Sequence, residues 1–306
     1  MKYNLIITGI LFFIWGCNLE PAMDISIEAN SIESKTKIPD SVRLEIINTV
    51  EKILVAAGNY NADDLRELCY NNAPIASISQ KEGEWRTNYR SIQDYLDICG
   101  SDELLPFVEL VSEYDIITTG DHMALVKADA VVNRFGMPGK REVNNMLLVK
   151  DSGQWKMLSI AWPVYELPKG EKGFNMEIFA IGYARAWCSQ RPDFVAQYFA
   201  EDGVLKVNDG EPAVGRKAIA DVAQSFMTTF PDMMVYLDSL SYEEEGVKFH
   251  WTLTGTDAGP EGKGNKVKIS GYELWQMNDD NRIENSLGYF SAEEYERQLN
   301  TQKSDN

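Results

Sequence analysis

The chain spells out one order of elements twice, and this limits it to two copies of a single small fold. Apolar residues at helical spacing (Val42, Ile46, Ile47, Val50, Ile53, Leu54) open the first half. Ile178, Ile181, Ala184 and Trp187 open the second. Positions three and four apart fall on one helix face, so both stretches predict amphipathic helices. A polar start and a short second helix follow in each half, at Asn61-Ala62-Asp63-Asp64 and at Arg191-Pro192-Asp193-Phe194. Third helices are predicted at 91–99 and 217–229. Strands then close each copy, at 123–132, 142–149 and 154–161, and at 247–256, 267–277 and 282–290. Asp151-Ser152-Gly153 and Asn278-Asp279-Asp280-Asn281 suit the tight turns between the last two strands of each set. Matching landmarks, Leu68 with Tyr198 and Val149 with Met277, lie 130 and 128 residues apart, and a nearly constant offset argues for duplication. Helices first and antiparallel strands after predict an α+β fold of two modules, each with helices packed on one face of a curved antiparallel sheet.

These landmarks divide the chain. Residues 41–165 form the first module and 174–297 the second. The segment 166–173 is a linker, the end of a stretch from Pro163 to Gly173 with two Pro, two Gly and four charges. Residues 298–306 are a polar tail. Residues 18–40 are polar, lack periodicity and read as a flexible tether. Ahead of them, one Lys precedes a mostly apolar run from Leu5 to Trp15, which ends at Gly16-Cys17. About 20 residues are needed to span a bilayer, so the run is too short for a membrane helix and reads as a secretory signal.

The formal charge of -18 is spread evenly. From Phe174 onward there are 12 basic and 22 acidic residues; residues 18–173 hold 16 and 25. An acidic surface without a basic patch repels nucleic acid, which removes that class of partner. Beyond Cys17, the cysteines Cys69, Cys99 and Cys188 match no zinc spacing and cannot all pair. They read as buried thiols, with a Cys69–Cys99 bridge left open. His122 reads as a turn residue. His250 alternates with Phe249 and Trp251 and so faces away from them. Two isolated histidines predict no metal site, and no cofactor motif is present.

The Gly16-Cys17 end resembles the lipobox of bacterial lipoproteins, which implies acylation of Cys17 and a lipid-anchored protein of the cell envelope. The second half carries a further resemblance. Tyr198-Phe199-Ala200-Glu201-Asp202-Gly203, Gly215-Arg216-Lys217-Ala218-Ile219, Trp251-Thr252-Leu253-Thr254-Gly255-Thr256 and Gly271-Tyr272-Glu273-Leu274-Trp275 stand in sequence. The pattern resembles the nuclear transport factor 2-like superfamily (a cystatin-like roll), and within it the SnoaL-like polyketide cyclases and ketosteroid isomerases. The first half resembles a more divergent member through Asn144-Asn145-Met146-Leu147-Leu148-Val149-Lys150-Asp151 and Gly153-Gln154-Trp155-Lys156-Met157. The resemblance implies cones that enclose a pocket, with members pairing through their sheets. Two copies on one chain could form an internal pseudo-dimer, and a homodimer is the other possibility.

In the isomerases resembled, a Tyr and a carboxylic acid donate hydrogen bonds to a developing enolate oxygen while a second carboxylate carries the proton. Carried across, the Tyr falls on Tyr183, the acid on Glu273 and the proton carrier on Val207, which has no proton to carry. Asp209 could replace it only if the strand end slipped. Glu273 shares a face with Gly271, Trp275 and Met277 by strand alternation, so an apolar setting and a raised pKa are expected. Trp251 and Trp275 are the expected aromatic walls. In the first module the same positions fall on Ile53, Asn145 and a residue near Ser77, which implies a non-catalytic copy that serves as partner domain or separate pocket. The cyclase positions fall on Ser286, Leu287 and Asp257, and Asp257 reads as a loop residue. Two functions compete. One is a lipid-anchored module pair that binds a small hydrophobic ligand or acts as a scaffold. The other is a cofactor-free isomerase, cyclase or hydratase acting on a small carbonyl compound in the second module.

Overall fold

The computed structural model describes residues 38–101, 103–258 and 264–301. Cys17 and nearly all of the expected tether lie outside the described residues. The first module runs α1 (Asp40–Gly58), α2 (Ala62–Leu68), β1 (Pro74–Lys81), β2 (Glu84–Ser91), α3 (Ile92–Leu96), β3 (Val108–Thr119), β4 (Met123–Arg134), β5 (Met137–Asp151) and β6 (Gln154–Glu166). A short 3₁₀ turn at Lys169–Glu171 leads to the second module. That module comprises α4 (Met176–Cys188), α5 (Pro192–Ala196), β7 (Phe199–Val207), β8 (Ala213–Val214), α6 (Arg216–Thr229), β9 (Met234–Glu243), β10 (Gly246–Thr256), β11 (Lys266–Met277), β12 (Ile283–Phe290) and α7 (Ala292–Thr301).

The sheet orders are β2-β1-β6-β5-β4-β3 and β8-β7-β12-β11-β10-β9, the same topology twice. This is the two-module α+β architecture. Each sheet is mixed rather than wholly antiparallel, because β1 lies parallel to β6 and β7 parallel to β12. The parallel partners are the first and last strands of each module, and the chain between them runs through a second strand, a helix and the three remaining strands, since no tight turn can join a parallel pair.

Local chemistry sets the helix ends. The Asn61 side chain accepts from the backbone N–H groups of Asp63 and Asp64. Ser91 and Asp94 form a reciprocal capping box on α3, and Asn175 accepts from Ile178 N–H. Each satisfies donors that a helix start leaves free. One boundary differs from the sequence reading. Pro163, at the start of the Pro- and Gly-rich stretch, lies within β6 opposite Ile78 of β1 and so inside the first module. Residues 298–301 continue α7: Gln298 bonds the Lys268 backbone from both ends of its amide, and Asn265 donates to Leu299 O.

Each module has its own core. Ile46, Val50, Leu65, Val126, Met146 and Leu148 anchor the first, and Phe179, Tyr183, Phe194, Tyr198, Phe249 and Trp275 the second. The modules also touch. Asn59 donates to Arg185 O, Arg191 donates to Cys99 O and Ser101 O, and Asn175 N–H donates to Gly136 O. Phe135, on the first module's β4–β5 turn, packs edge-on against Tyr198 at 5.0 Å. Gly182 is required here: a Cβ on it would collide with the Tyr198 hydroxyl and press on Val108 at 3.1 Å. Cys69, Cys99 and Cys188 are all free thiols.

Candidate functional site

The second module builds its polar centre on β11. Glu273 pairs with Phe249 on β10 and Gly288 on β12, and its side chain faces inward with Trp275. Three donors converge on its Oε2: Tyr183 OH at 3.0 Å, Trp275 Nε1 at 3.0 Å and Ser286 Oγ at 2.7 Å. All four residues are buried. Loss of water raises the Glu273 pKa above the ordinary carboxylate range, against the pull of the three donors. Burial, followed by the adjacent Glu273 charge, raises that of Tyr183 well above its usual value.

The cavity beside this cluster is about 50 Å³. Glu273, Val207, Trp251, Trp187, Phe226 and Phe290 are among its walls. Gly271 lets Trp251 lie there, because a Cβ on it would meet the indole at 2.6 Å. The indole N–H of Trp251 is buried without a hydrogen-bond partner among the described residues. Of the residues singled out from sequence, Glu273, Val207 and Trp251 therefore border one space. Tyr183 and Trp275 do not: both lie in the core and direct their donors at Glu273. Asp209 is exposed in the turn beyond β7. The bonds of Ser286 and Trp275 to Glu273 were not expected from the sequence, and the pairing of Ser286 with Trp275 across β11–β12 puts Ser286 there. Leu287 points outward, 52% exposed. Asp257 is buried rather than solvated, at the foot of the turn closed by Gly264 N–H on its carbonyl. His250 meets Ser241 Oγ at 3.1 Å on the outer face, and His122 meets Asp121 at 3.1 Å in an exposed turn.

The first module encloses about 410 Å³. Ile53 lines this cavity, as do Leu54, Ile75, Ile92, Met157 and Trp162. Asn145 does not. It is exposed, and its amide donates to Val143 O and Ala161 O. The inward residue is Asn144, 2% exposed, whose Nδ2 donates to Glu109 Oε2 at 2.7 Å. The correction is one of register. The β5–β6 register shifts between Leu147 and Leu148, skipping Leu158 on β6, and the β11–β12 register shifts between Gln276 and Met277, skipping Glu284 on β12. The offset in this strand is thus 276 − 147 = 129, and a one-residue error places a side chain on the opposite face. Ser77 pairs with Trp162 but is not part of the cavity wall.

Two acids in this cavity escaped the sequence reading. Glu109 on β3 is 6% exposed, and its pKa is pushed up to about 8 by burial and then by the nearby Glu142 charge. Burial likewise raises that of Glu142. The signal was present: Phe107-Val108-Glu109-Leu110-Val111 places one acid inside an apolar run, where exposure is not the default.

Residues 180–285 match the family model of the SnoaL-like domain. No curated protein matches the chain. Among solved structures, TsrD from Streptomyces laurentii is 15% identical, covers 44% of this chain and 98% of its own, and has a TM-score of 0.37. A candidate polyketide cyclase from Xanthomonas campestris pv. campestris is 23% identical over 39% of this chain and 92% of its own, with a TM-score of 0.33. A nuclear transport factor 2-like protein of unknown function from Shewanella baltica is 16% identical over 42% and 98%, with a TM-score of 0.32.

Proposed function

We propose that this chain, whose second module is a SnoaL-like domain, is a lipid-anchored protein of the bacterial cell envelope that binds a small hydrophobic ligand in the cavity of its first module. The observation that carries the binding reading is the difference in cavity volume, about 410 Å³ against about 50 Å³. Small-molecule pockets fall at about 300–1,000 Å³, and an apolar cavity of about 150 Å³ holds benzene. The second module's cavity is below either size and serves a closed partner domain. Export and acylation at Cys17 are supported by the apolar run before Gly16-Cys17. Among the described residues, no helix is long and apolar enough to cross a membrane.

The test uses the full chain in detergent and an environment-sensitive apolar dye. Ala57 lines the first cavity from α1. Ala57→Phe fills part of that space and should abolish dye binding while the chain stays folded by circular dichroism. Dye binding equal to wild type would overturn the assignment of the site.

A second reading, a cofactor-free isomerase, cyclase or hydratase in the second module, draws on Glu273 bordering its cavity. Against it, Tyr183 donates to Glu273 rather than into the cavity, and Val207 stands where a proton carrier would be needed. Exchange of α-protons from a panel of cyclic ketones into D₂O, followed by NMR, should not exceed the buffer rate. Exchange lost in Glu273→Gln would instead establish the enzyme.

A further inference from the structure

The walls of the first cavity are segregated by chemistry. The apolar part comes from helices and strands together, with Ile53 and Ile92 facing Ile75 and Met157. The acidic part is Glu109 and Glu142, contributed by β3 and β5. The basic part, Arg134 and Lys140, sits at the exposed rim. Lys140 reaches Glu166 at 3.7 Å, and the Arg134 guanidinium lies over the Phe107 ring at 5.5 Å. Neither acid forms an ion pair with a lysine or arginine among the described residues, although Lys140 and Arg134 pull the Glu142 pKa down through space and Arg185 that of Glu109; Glu109 accepts from the neutral amide of Asn144. Two carboxyls facing one desolvated space without a paired cation are costly, and each disfavours the charge of the other. Aromatic rings complete the wall. Tyr60 and Tyr95 stack at 5.8 Å, with Phe107 edge-on to Tyr60 at 5.7 Å.

We propose that the first cavity takes an organic amine, whose ammonium lies between Glu109 and Glu142 and whose apolar body lies against Ile53, Ile75, Ile92 and Met157. This rests on the reading of the first cavity as the ligand site and goes beyond it by naming the ligand class. A cation there supplies the direct ion pair that neither acid has, and the Tyr60, Tyr95 and Phe107 rings add a favourable setting for it. The whole chain carries a net charge of -18, which favours the approach of cations over anions, while the rim itself carries Arg134 and Lys140. Past that rim an anionic ligand would lie beside two acids, and a neutral one would give neither acid a direct cationic partner.

Proton bookkeeping separates the three ligand classes. Glu109 is faced by Glu142 and Asn144 from β5, Glu51 from α1, Tyr95 from α3, Tyr114 from its own strand and Arg185 from α4. Burial and the Glu142 charge put its pKa at about 8, so the empty site is mainly protonated at pH 7. An ammonium favours the carboxylate, so binding releases a proton to the buffer. Affinity then rises roughly tenfold from pH 7 to pH 9, as the empty site itself becomes ionised.

The experiment is calorimetry on the full chain in detergent, in two buffers of different ionisation enthalpy. The probes share one body and differ in the head: phenethylamine, phenethyl alcohol and phenylacetic acid. Phenethylamine should bind tightest and release close to one proton at pH 7. Glu109→Gln should abolish that release, and Glu142→Gln should weaken binding about tenfold, with both variants folded by circular dichroism. If the alcohol binds as well as the amine, or the acid binds with proton uptake, the ligand class is overturned and the ligand site stands. If phenethylamine binds but neither substitution changes it, the placement of the ammonium is overturned. If none of the three probes nor the apolar dye binds, both the class and the ligand-site reading fail.

Discussion

The two modules share a topology strand for strand and differ in what they enclose. The second carries the recognisable SnoaL-like sequence, and its interior is nearly filled by Trp275, Phe249, Tyr183 and Tyr198 around one saturated carboxylate oxygen. The first lies outside the residues that match that family model and holds the larger space, with a buried acid, Glu109, on β3 and Asn144 on β5 where the second module has Glu273. Family resemblance follows the strands and turns that specify the fold. It does not follow the cavity, because cavity volume depends on a few side chains whose size can change without altering the pattern of alternation. The module that is easier to recognise is therefore the poorer candidate for binding.

The largest expected effect tests the filled interior. Glu273→Ala leaves the donors of Tyr183, Trp275 and Ser286 buried without their shared acceptor. Each unsatisfied buried group costs about 1–3 kcal/mol, so a loss of at least about 3 kcal/mol is expected in denaturant unfolding. Glu273→Gln keeps an acceptor oxygen and should cost about 1 kcal/mol. Equal effects from the two would mean that the hydrogen bonds do not hold this module together.

The second test concerns charge in the open cavity. Glu109 has a folded pKa of about 8, well above the ordinary carboxyl value of about 4.3. The folded state therefore holds more protons across that window. The stability from the protonated form is fully present below about pH 4.3 and is lost as pH rises through about 8. The expected loss is on the order of a few kcal/mol, read as a falling melting temperature from pH 5 to pH 8. Glu109→Gln should flatten that slope, while Glu142 and Glu273, raised in the same direction, leave a residue of it. An unchanged slope in the variant would place Glu109 in water and remove the contrast between rim and interior.

Space itself gives a third and smaller contrast. Ala57→Phe projects a ring into about 410 Å³ and should change stability by less than about 1 kcal/mol. Val207→Trp must enter about 50 Å³ and should cost about 1–3 kcal/mol by overpacking. If Val207→Trp is tolerated as well as Ala57→Phe, the second cavity opens readily and the two modules are more alike than their volumes indicate.

Much of the fold was legible because it is periodic. The helix stripes, the turn residues at 151–153 and 278–281 and the nearly constant offset are all local signals, and the six expected strands are present. The hairpin of β1 and β2 was missed. All eight residues of β2, Glu84–Ser91, are exposed or half-buried, so no apolar alternation marks it. β3 and β9 were missed because each buries only part of one face. At the candidate sites, sequence named Glu273, Val207 and Trp251, which border one cavity, but it assigned Tyr183 a donor role that the structure directs at Glu273. Glu109 was out of reach of the resemblance, since none of the positions carried across from it falls on β3. Only its apolar neighbours marked it.

A last comparison, whose control variant carries the smallest expected effect, tests the register that separated the two readings of the first module. Asn144 and Asn145 are adjacent and chemically identical, so the backbone alone decides which one matters. Asn144 is 2% exposed and holds Glu109; Asn145 is exposed and bonds backbone carbonyls that already belong to the sheet. Asn144→Ala should destabilise by about 1–3 kcal/mol, because Glu109 loses its donor in a desolvated place. It should also raise the Glu109 pKa, since the lost bond favoured the charged form. Asn145→Ala should fall within about 0.5 kcal/mol of wild type, the usual range for a surface change. Denaturant unfolding of both variants measures the difference directly. A reversed order would return the offset in this strand to an even number, put Asn145 in the cavity and turn Asn144 out to solvent, which would also move Glu142 out of the site, since it shares Asn144's face.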